Sequence, residues 1–279
     1  MSTITITAAD INKLRQMTGA GMMDCRKALT ESNGDFDAAI DYLRKKGQKV
    51  AALRNDREAK EGVVLAKTTA DSKTGIALCL SCETDFVSKN ADFVAFAQQI
   101  MDAAVANNVK SIDELNAANI NGTKIADMVS DKLASIGEKI GVSKFARVDA
   151  NYVASYIHGA NRMGVLVGLN KSAADAGKDL AMQIAAMNPV AIDQDSVPAE
   201  VVAREKAIVT DLIRNDPKMA GKTDEMIDKI AAGKLNNFFK ESTLLAQAFV
   251  KDGGLSVGDY LKSVDPALKV TEFKRIALG

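Results

Sequence analysis

The amino-acid sequence predicts an α+β protein: a small N-terminal three-helix unit, two related antiparallel sheet-plus-helix core subdomains, and an inserted antiparallel helical hairpin. Three observations support this. Apolar residues recur at helical spacing over the first 45 residues. After Gly62 they switch to strand-like runs separated by polar turns. A strand–turn–strand–helix order then occurs twice, once after Gly62 and again after Tyr152. The expected division is 1–55 for the helical unit and its linker, 56–144 for the first core subdomain, and 145–279 for the second, with the hairpin inserted at 193–237.

In the first unit, Asp10 is a capping candidate, and Ile11, Leu14 and Met17 follow at helical spacing. Gly19-Ala20-Gly21 interrupts the chain. Met22, Cys25, Ala28 and Leu29 form a second stripe, stopped by Asn33-Gly34. Asp35 can cap a third helix bearing Phe36, Ala39, Ile40 and Leu43. Three helices this short bury little, which suits an interaction module. Adjacent helix positions diverge by about 100°, so one of Met22 and Met23 is expected in the core and the other exposed. Residues 44–60 hold seven Lys or Arg and read as a solvated, partly helical linker. The stretch has no aromatics, which argues against base stacking.

Val64–Lys67 and Ile76–Leu80 read as strands around the turn Asp71-Ser72-Lys73. A helix carrying Phe93, Phe96, Ala97, Ile100, Met101 and Ala104 follows, with Asn90 as its cap. Tyr152–His158 and Gly164–Leu169 repeat the strand pair. Leu180, Met182, Ile184, Ala185 and Met187 lie on the next helix, which Pro189 ends. Two antiparallel sheets covered by helices would result. Ser196 and Pro198 open a helix with Val201, Ile208 and Leu212. Asn215-Asp216-Pro217 turns the chain, and Met226, Ile227, Ile230, Ala231 and Leu235 line the return helix. A short helix near 257–261 and a strand near 270–276 end the chain.

Composition narrows the function. Hydrophobic residues are 47% of the chain, enough for packed cores, and the 26% charged residues cancel to a net charge of zero. Neutrality argues against a dedicated nucleic-acid binder. His158 is the sole histidine and Trp is absent, so a metal site or a rich acid–base site is not expected. Cys79 and Cys82 have C-x-x-C spacing, but residues three apart on a strand face opposite sides. With Cys25 they read as buried thiols of a reducing compartment. The start has no charged leader with an apolar stretch, and no run of about 18 apolar residues occurs, so a cytoplasmic protein without a membrane span is expected. No cofactor motif occurs: G-x-S-x-G, a phosphate loop and H-E-x-x-H are all missing.

Three segments carry a family resemblance. They are Thr18–Cys25 with Lys27-Ala28-Leu29, Glu83-Thr84-Asp85-Phe86-Val87, and His158-Gly159-Ala160 ahead of Gly164–Val167. With Ile136–Ile140 they resemble, in order and over nearly the whole chain, the bacterial elongation factor Ts family. The resemblance implies binding to elongation factor Tu, in its GDP-bound and nucleotide-free forms, and guanine nucleotide exchange without covalent chemistry. It implies that Asp85 and Phe86, within Thr84–Val87, reach the partner near its magnesium and nucleotide. It places His158 near that interface and makes Arg15, Met22 and Met23 the partner contacts of the N-terminal unit. A homodimer or a 2:2 complex is compatible with it. Two departures stand out: the turn after His158 is one residue longer than in some relatives, and the partner contact that some relatives make through a further C-terminal helix is not expected here.

Alternatives remain at the residue level. Phe86 could be the first core residue of the following helix, although Phe93 and Phe96 already fill that role. Asp85 alone is a turn residue, and His158 could be purely structural. The three-helix start also suits a UBA-like module that binds ubiquitin-type partners or nucleic acid, but such a module leaves the Asp-Phe segment unexplained.

Overall fold

The computed structural model describes residues 5–54, 56–217 and 222–279. It is a mixed fold of helices and antiparallel sheets, as the sequence predicts. Helices α1 (Ala8–Thr18), α2 (Met22–Glu31) and α3 (Phe36–Leu53) enclose Leu14, Ala20, Cys25, Ala28, Leu29, Ala39 and Leu43. Asp10 is not the cap of α1. Thr7 is: its hydroxyl oxygen accepts the Asp10 N–H at 3.2 Å, and the Asp10 carboxylate accepts the Thr7 N–H at 3.0 Å. Asp35 does cap α3, accepting the Ala38 N–H at 2.9 Å. Met17, Met22 and Met23 are all exposed, the last two at 54% and 72%. The expectation that one of Met22 and Met23 is buried is therefore wrong. The buried face of α2 begins only at Cys25, with Ala28 and Leu29, and Ala20 ahead of the helix is buried in the same core.

Nor is 44–53 a free linker. It continues α3, which packs on α7 (Ile125–Ile136). Several cations in it and just past it are engaged locally: Lys46 pairs with Asp24, Arg44 approaches Asp131 at 3.9 Å, and Arg54 and Arg57 both reach Glu83.

The core starts with β1 (Glu61–Thr68) and β2 (Thr74–Cys82). Next come α4 (Asp85–Ser88), α5 (Ala91–Ala106), α6 (Ile112–Ala117), the small hairpin β3 (Asn119–Ile120) and β4 (Thr123–Lys124), α7, and β5 (Gly141–Asp149). Then follow β6 (Tyr152–His158), β7 (Met163–Leu169), α8 (Ala174–Met187), α9 (Ala199–Arg214), α10 (Asp224–Ser242), β8 (Ala248–Phe249), β9 (Asp252–Ser256), α11 (Val257–Val264) and β10 (Val270–Ala277). One antiparallel sheet has the order β1-β2-β5, the other β10-β7-β6. Residue 144, the expected subdomain boundary, lies inside β5 and so within the first sheet.

Alternation along the strands sorts the core into layers. Val63, Leu65, Ile76, Leu78, Leu80 and Cys82 face α5 and α7. Val64, Ala77, Cys79 and Val148 face the second sheet, meeting its Val153, Leu166 and Ile276. The outer face of that sheet, with Val165, Val167 and Leu169, is covered by α8 and α11. Cys79 and Cys82 thus sit in different cores, so the C-x-x-C spacing does not pair them.

The α9–α10 hairpin is built differently from the expected stripe. Val209 and Ile213 meet Ile227 and Ala231, while Ile208, Leu212 and Met226 are exposed. Helix α9 carries two apolar stripes one residue apart, and the pairing with α10 selects one of them. At the base, Phe239 packs with Ala191 and Val197, so the hairpin reaches past the expected end at 237.

Candidate partner-binding site

Asp85–Ser88 winds one helical turn, and Phe86 stands out from it 86% exposed, so it is not a core residue of the helix that follows. An isolated turn of this length does not hold itself, and its surroundings supply the hold. Gly137, with φ of 78°, ends α7 in the left-handed region and turns the chain so that Glu138 points back. The Glu138 carboxylate accepts the N–H groups of Glu83 and Thr84, both at 3.1 Å, and the Thr84 hydroxyl at 2.7 Å. The Cys82 thiol donates to the Thr84 carbonyl at 3.2 Å. Burial, with the negative charges of Glu138 and Glu61, pushes that thiol up to about 12, so it stays a neutral donor.

Glu83 faces the opposite way. It accepts from Arg54 at 2.7 Å, Arg57 at 3.1 Å and the Lys139 N–H at 2.6 Å. Burial opposes its charge, but the Lys139 N–H and the two guanidinium groups win and lower it to about 2. Two carboxylates therefore clamp the base of the turn: Glu138, just past α7, accepts from its backbone, and Glu83, on the segment itself, is held by Arg54 and Arg57 past the end of α3. On the turn, Lys89 bonds Asp85 at 2.7 Å and holds its carboxyl below the usual range. Val87 packs down onto the first core. The result is a fixed pedestal with a bare aromatic ring on top.

Beside it lies a cleft of about 960 Å³. Met17, Gly19, Ile40 and Arg44 of the N-terminal helices form one wall, with Met128, Asp131 and Lys132 of α7 alongside. Phe86, Val87, Phe93 and Phe96 also line the cleft. Arg15, Met22 and Met23 are exposed and lie outside the cleft, on the α1–α2 corner.

His158 is exposed at the end of β6. Its Nδ1 lies 3.0 Å from the Tyr156 hydroxyl. The turn that follows, with Ala160 and Asn161 at positive φ, is bonded to β1: the Asn161 carbonyl accepts the Val64 N–H at 2.7 Å. Glu61, at the start of β1, pairs across the sheet with Cys82. The His158 turn and the Phe86 turn therefore both hang on the first half of β1, but they are not in contact through any hydrogen bond or ring pair of the described residues.

Sequence reasoning missed Glu138, Arg54, Arg57 and the cleft. Glu83 and Glu138 stood within quoted motifs, but only their approach in space shows what they hold. Among the described residues no cluster of three or more His, Cys, Asp or Glu could hold a metal, and no helix is long and apolar enough to cross a membrane.

A family profile described as elongation factor TS matches residues 83–279. The chain is 48% identical to the elongation factor Ts of Christiangramia forsetii, over 98% of this chain and 99% of that one. It is also 48% identical to the elongation factor Ts of Flavobacterium psychrophilum, over 99% of each. To that of Phocaeicola vulgatus it is 39% identical, again over 99% of each.

Proposed function

The chain belongs to the elongation factor Ts family, and from that premise we propose that it is a guanine nucleotide exchange factor. It binds elongation factor Tu and speeds GDP release, in the cytoplasm and without covalent chemistry. The observation that carries this reading is Phe86, exposed on a turn clamped from two sides. The backbone that carries the ring is held before it meets a partner, so binding does not bear the entropy of ordering that turn.

Exchange requires a partner conformation that holds GDP poorly. The factor favours it only by binding it better, and linkage then makes GDP weaken the factor in the same ratio. Speeding release by roughly four decades removes about 5–6 kcal/mol of barrier. Burying one Phe supplies about 1.5–3 kcal/mol. Phe86 is therefore the wedge, and a broad interface supplies the remainder. Asp85 accompanies the ring toward the partner's magnesium site, with Thr84 and Val87 supporting it. His158 contacts the partner from the neighbouring turn. Arg15, Met22 and Met23 form the second contact, where flexible methionines adapt to the surface they meet. The N-terminal helices, the unit built on the β1-β2-β5 sheet and the unit built on the β10-β7-β6 sheet act as three working units in this reading, and either a homodimer or a 2:2 complex with the partner is compatible with it.

The test is stopped-flow release of a fluorescent GDP from elongation factor Tu, with and without the purified chain. Saturable acceleration of release, together with capture of elongation factor Tu on immobilised chain, is the expected result. Unchanged release at high chain concentration would overturn the reading.

A further inference from the structure

Helix α3 touches three parts of the molecule. Its start is in the N-terminal core, where Ala39 and Leu43 are buried. Its middle crosses α7. Just past its end, Arg54 bonds Glu83 at the base of the Phe86 turn. The crossing is unusually close. Gly47 is buried there, and a Cβ built on it would lie 2.8 Å from the Ala134 Cβ and 3.3 Å from the Ser130 carbonyl oxygen. Carbon atoms settle at about 3.5–4.0 Å, so the two backbones approach this far only because position 47 has no side chain. Local preference runs the other way, since glycine inside a helix is worse than alanine.

The face of α3 that makes this contact also walls the cleft. Ile40, Arg44 and Gly47 follow one another at spacings of four and three, so they share one side of the helix. Ile40 and Arg44 line the cleft, and Arg44 lies 3.9 Å from Asp131 of α7. Phe86 lines the same cleft. Any displacement of α3 from α7 thus moves Met17 and the exposed methionine corner relative to Phe86.

We propose that α3 is a rigid strut and that Gly47, at its crossing with Ala134, is a positioning residue for partner binding. It sets the distance between the N-terminal contact surface and the Phe86 turn, so that one partner meets both at once. Two contacts held at matched spacing bind as a linked pair, with the second made at high effective concentration. The proposal rests on the exchange function above. It predicts that the strut governs affinity, while the chemistry-free release step stays with the turn.

The test is Gly47→Ala, alone and combined with Ala134→Gly, which removes the opposing methyl. In GDP release assays Gly47→Ala should raise the half-saturating chain concentration about tenfold or more, with the maximal rate within about twofold of the unsubstituted chain. The double variant should return to within about threefold of that chain's half-saturation. A purely local helix effect would instead leave the single variant unchanged or improve it. A second readout needs no partner. Spin labels at Asn12→Cys on α1 and Asp113→Cys on α6, both exposed, report the distance between the N-terminal helices and the first core, the three native cysteines being buried. That distance should shift or broaden in Gly47→Ala and recover in the double variant. Unchanged affinity and distance in the single variant, a double variant that recovers neither, or a fall in maximal rate in place of affinity would each overturn the proposal. If the unsubstituted chain did not accelerate release at all, the exchange reading would fail, and the label distances alone would decide whether α3 is a strut.

Discussion

Phe86 and the two carboxylates beneath it divide the work of one site. The ring makes the contact, and Glu138 and Glu83 fix where it stands. Phe86→Ala removes no core contact, so circular dichroism and melting temperature should not change, while factor-stimulated GDP release should slow about tenfold or more, the loss of roughly half the value of a buried ring. An equal release rate would remove the wedge from the mechanism. Glu138→Gln keeps the shape but cannot accept all three donors as a carboxylate does. It should leave the core folded and slow release by a smaller factor, read in the same assay. Glu83 ties the site to pH. Its carboxyl falls from an ordinary 4.5 to about 2 on folding. Stability from its three partners is therefore fully present above about pH 4.5 and is lost as pH falls toward 2. Glu83→Gln should lower stability at pH 6 by about 2 kcal/mol, the value of a hydrogen-bonded charge. It should also flatten the drop in melting temperature between pH 6 and pH 3. An acid profile parallel to that of the unsubstituted chain would show that Glu83 is not the titrating group.

Among the elements, the α9–α10 hairpin has two parts with different attachments. Its far portion holds together through Val209, Ile213, Ile227 and Ala231, which touch each other and not the sheets. Its base is part of the body: Ala191, Val197 and Phe239 pack with Val201, Val202, Leu235 and Phe238. Cutting at 196 and 235 would strip Val197, Val201 and Val202 from this base and expose Phe239. Replacing 204–233 by a short Gly-Ser linker spares it. The shortened chain should keep a cooperative melt and the full maximal GDP release rate, with any loss confined to half-saturation. Loss of the maximal rate would make the far portion part of the exchange machinery.

At the scale of the whole molecule, two sheets share one interior. Leu166 lies fully buried between them, beside Val64, Ala77 and Val153. Leu166→Ala should cost about 2–5 kcal/mol and lower a single transition, because neither sheet can lose this layer alone. Two separate melting steps would show that the halves fold independently. Among the described residues the N-terminal core, by contrast, draws on residues between Ile6 and Leu43, and none of the sheet cores uses them. Deleting 1–50 should leave a cooperatively folded remainder with weaker partner binding, measured by calorimetry of complex formation.

The sequence by itself determined the α+β class, the placement of most strands and long helices, and the family. Those features rest on periodicity, on turn residues and on short ordered motifs, which are local in the chain. Ile76–Leu80 reads as a strand because every residue in it is apolar, and both its faces are buried. Only the tertiary structure decided which of two adjacent stripes on α9 meets α10, since Ile208 and Val209 are equally apolar and the partner helix makes the choice. It also placed β5, whose polar residues mask its pairing with β2, and it showed that the basic stretch after Leu43 is a helix laid across α7. The same holds for the site. Asp85 and Phe86 were legible as a motif, but Glu138 stands 54 residues from Thr84 in the chain. A clamp between groups so far apart leaves no period or spacing to read, because it exists only once the sheets bring its ends together.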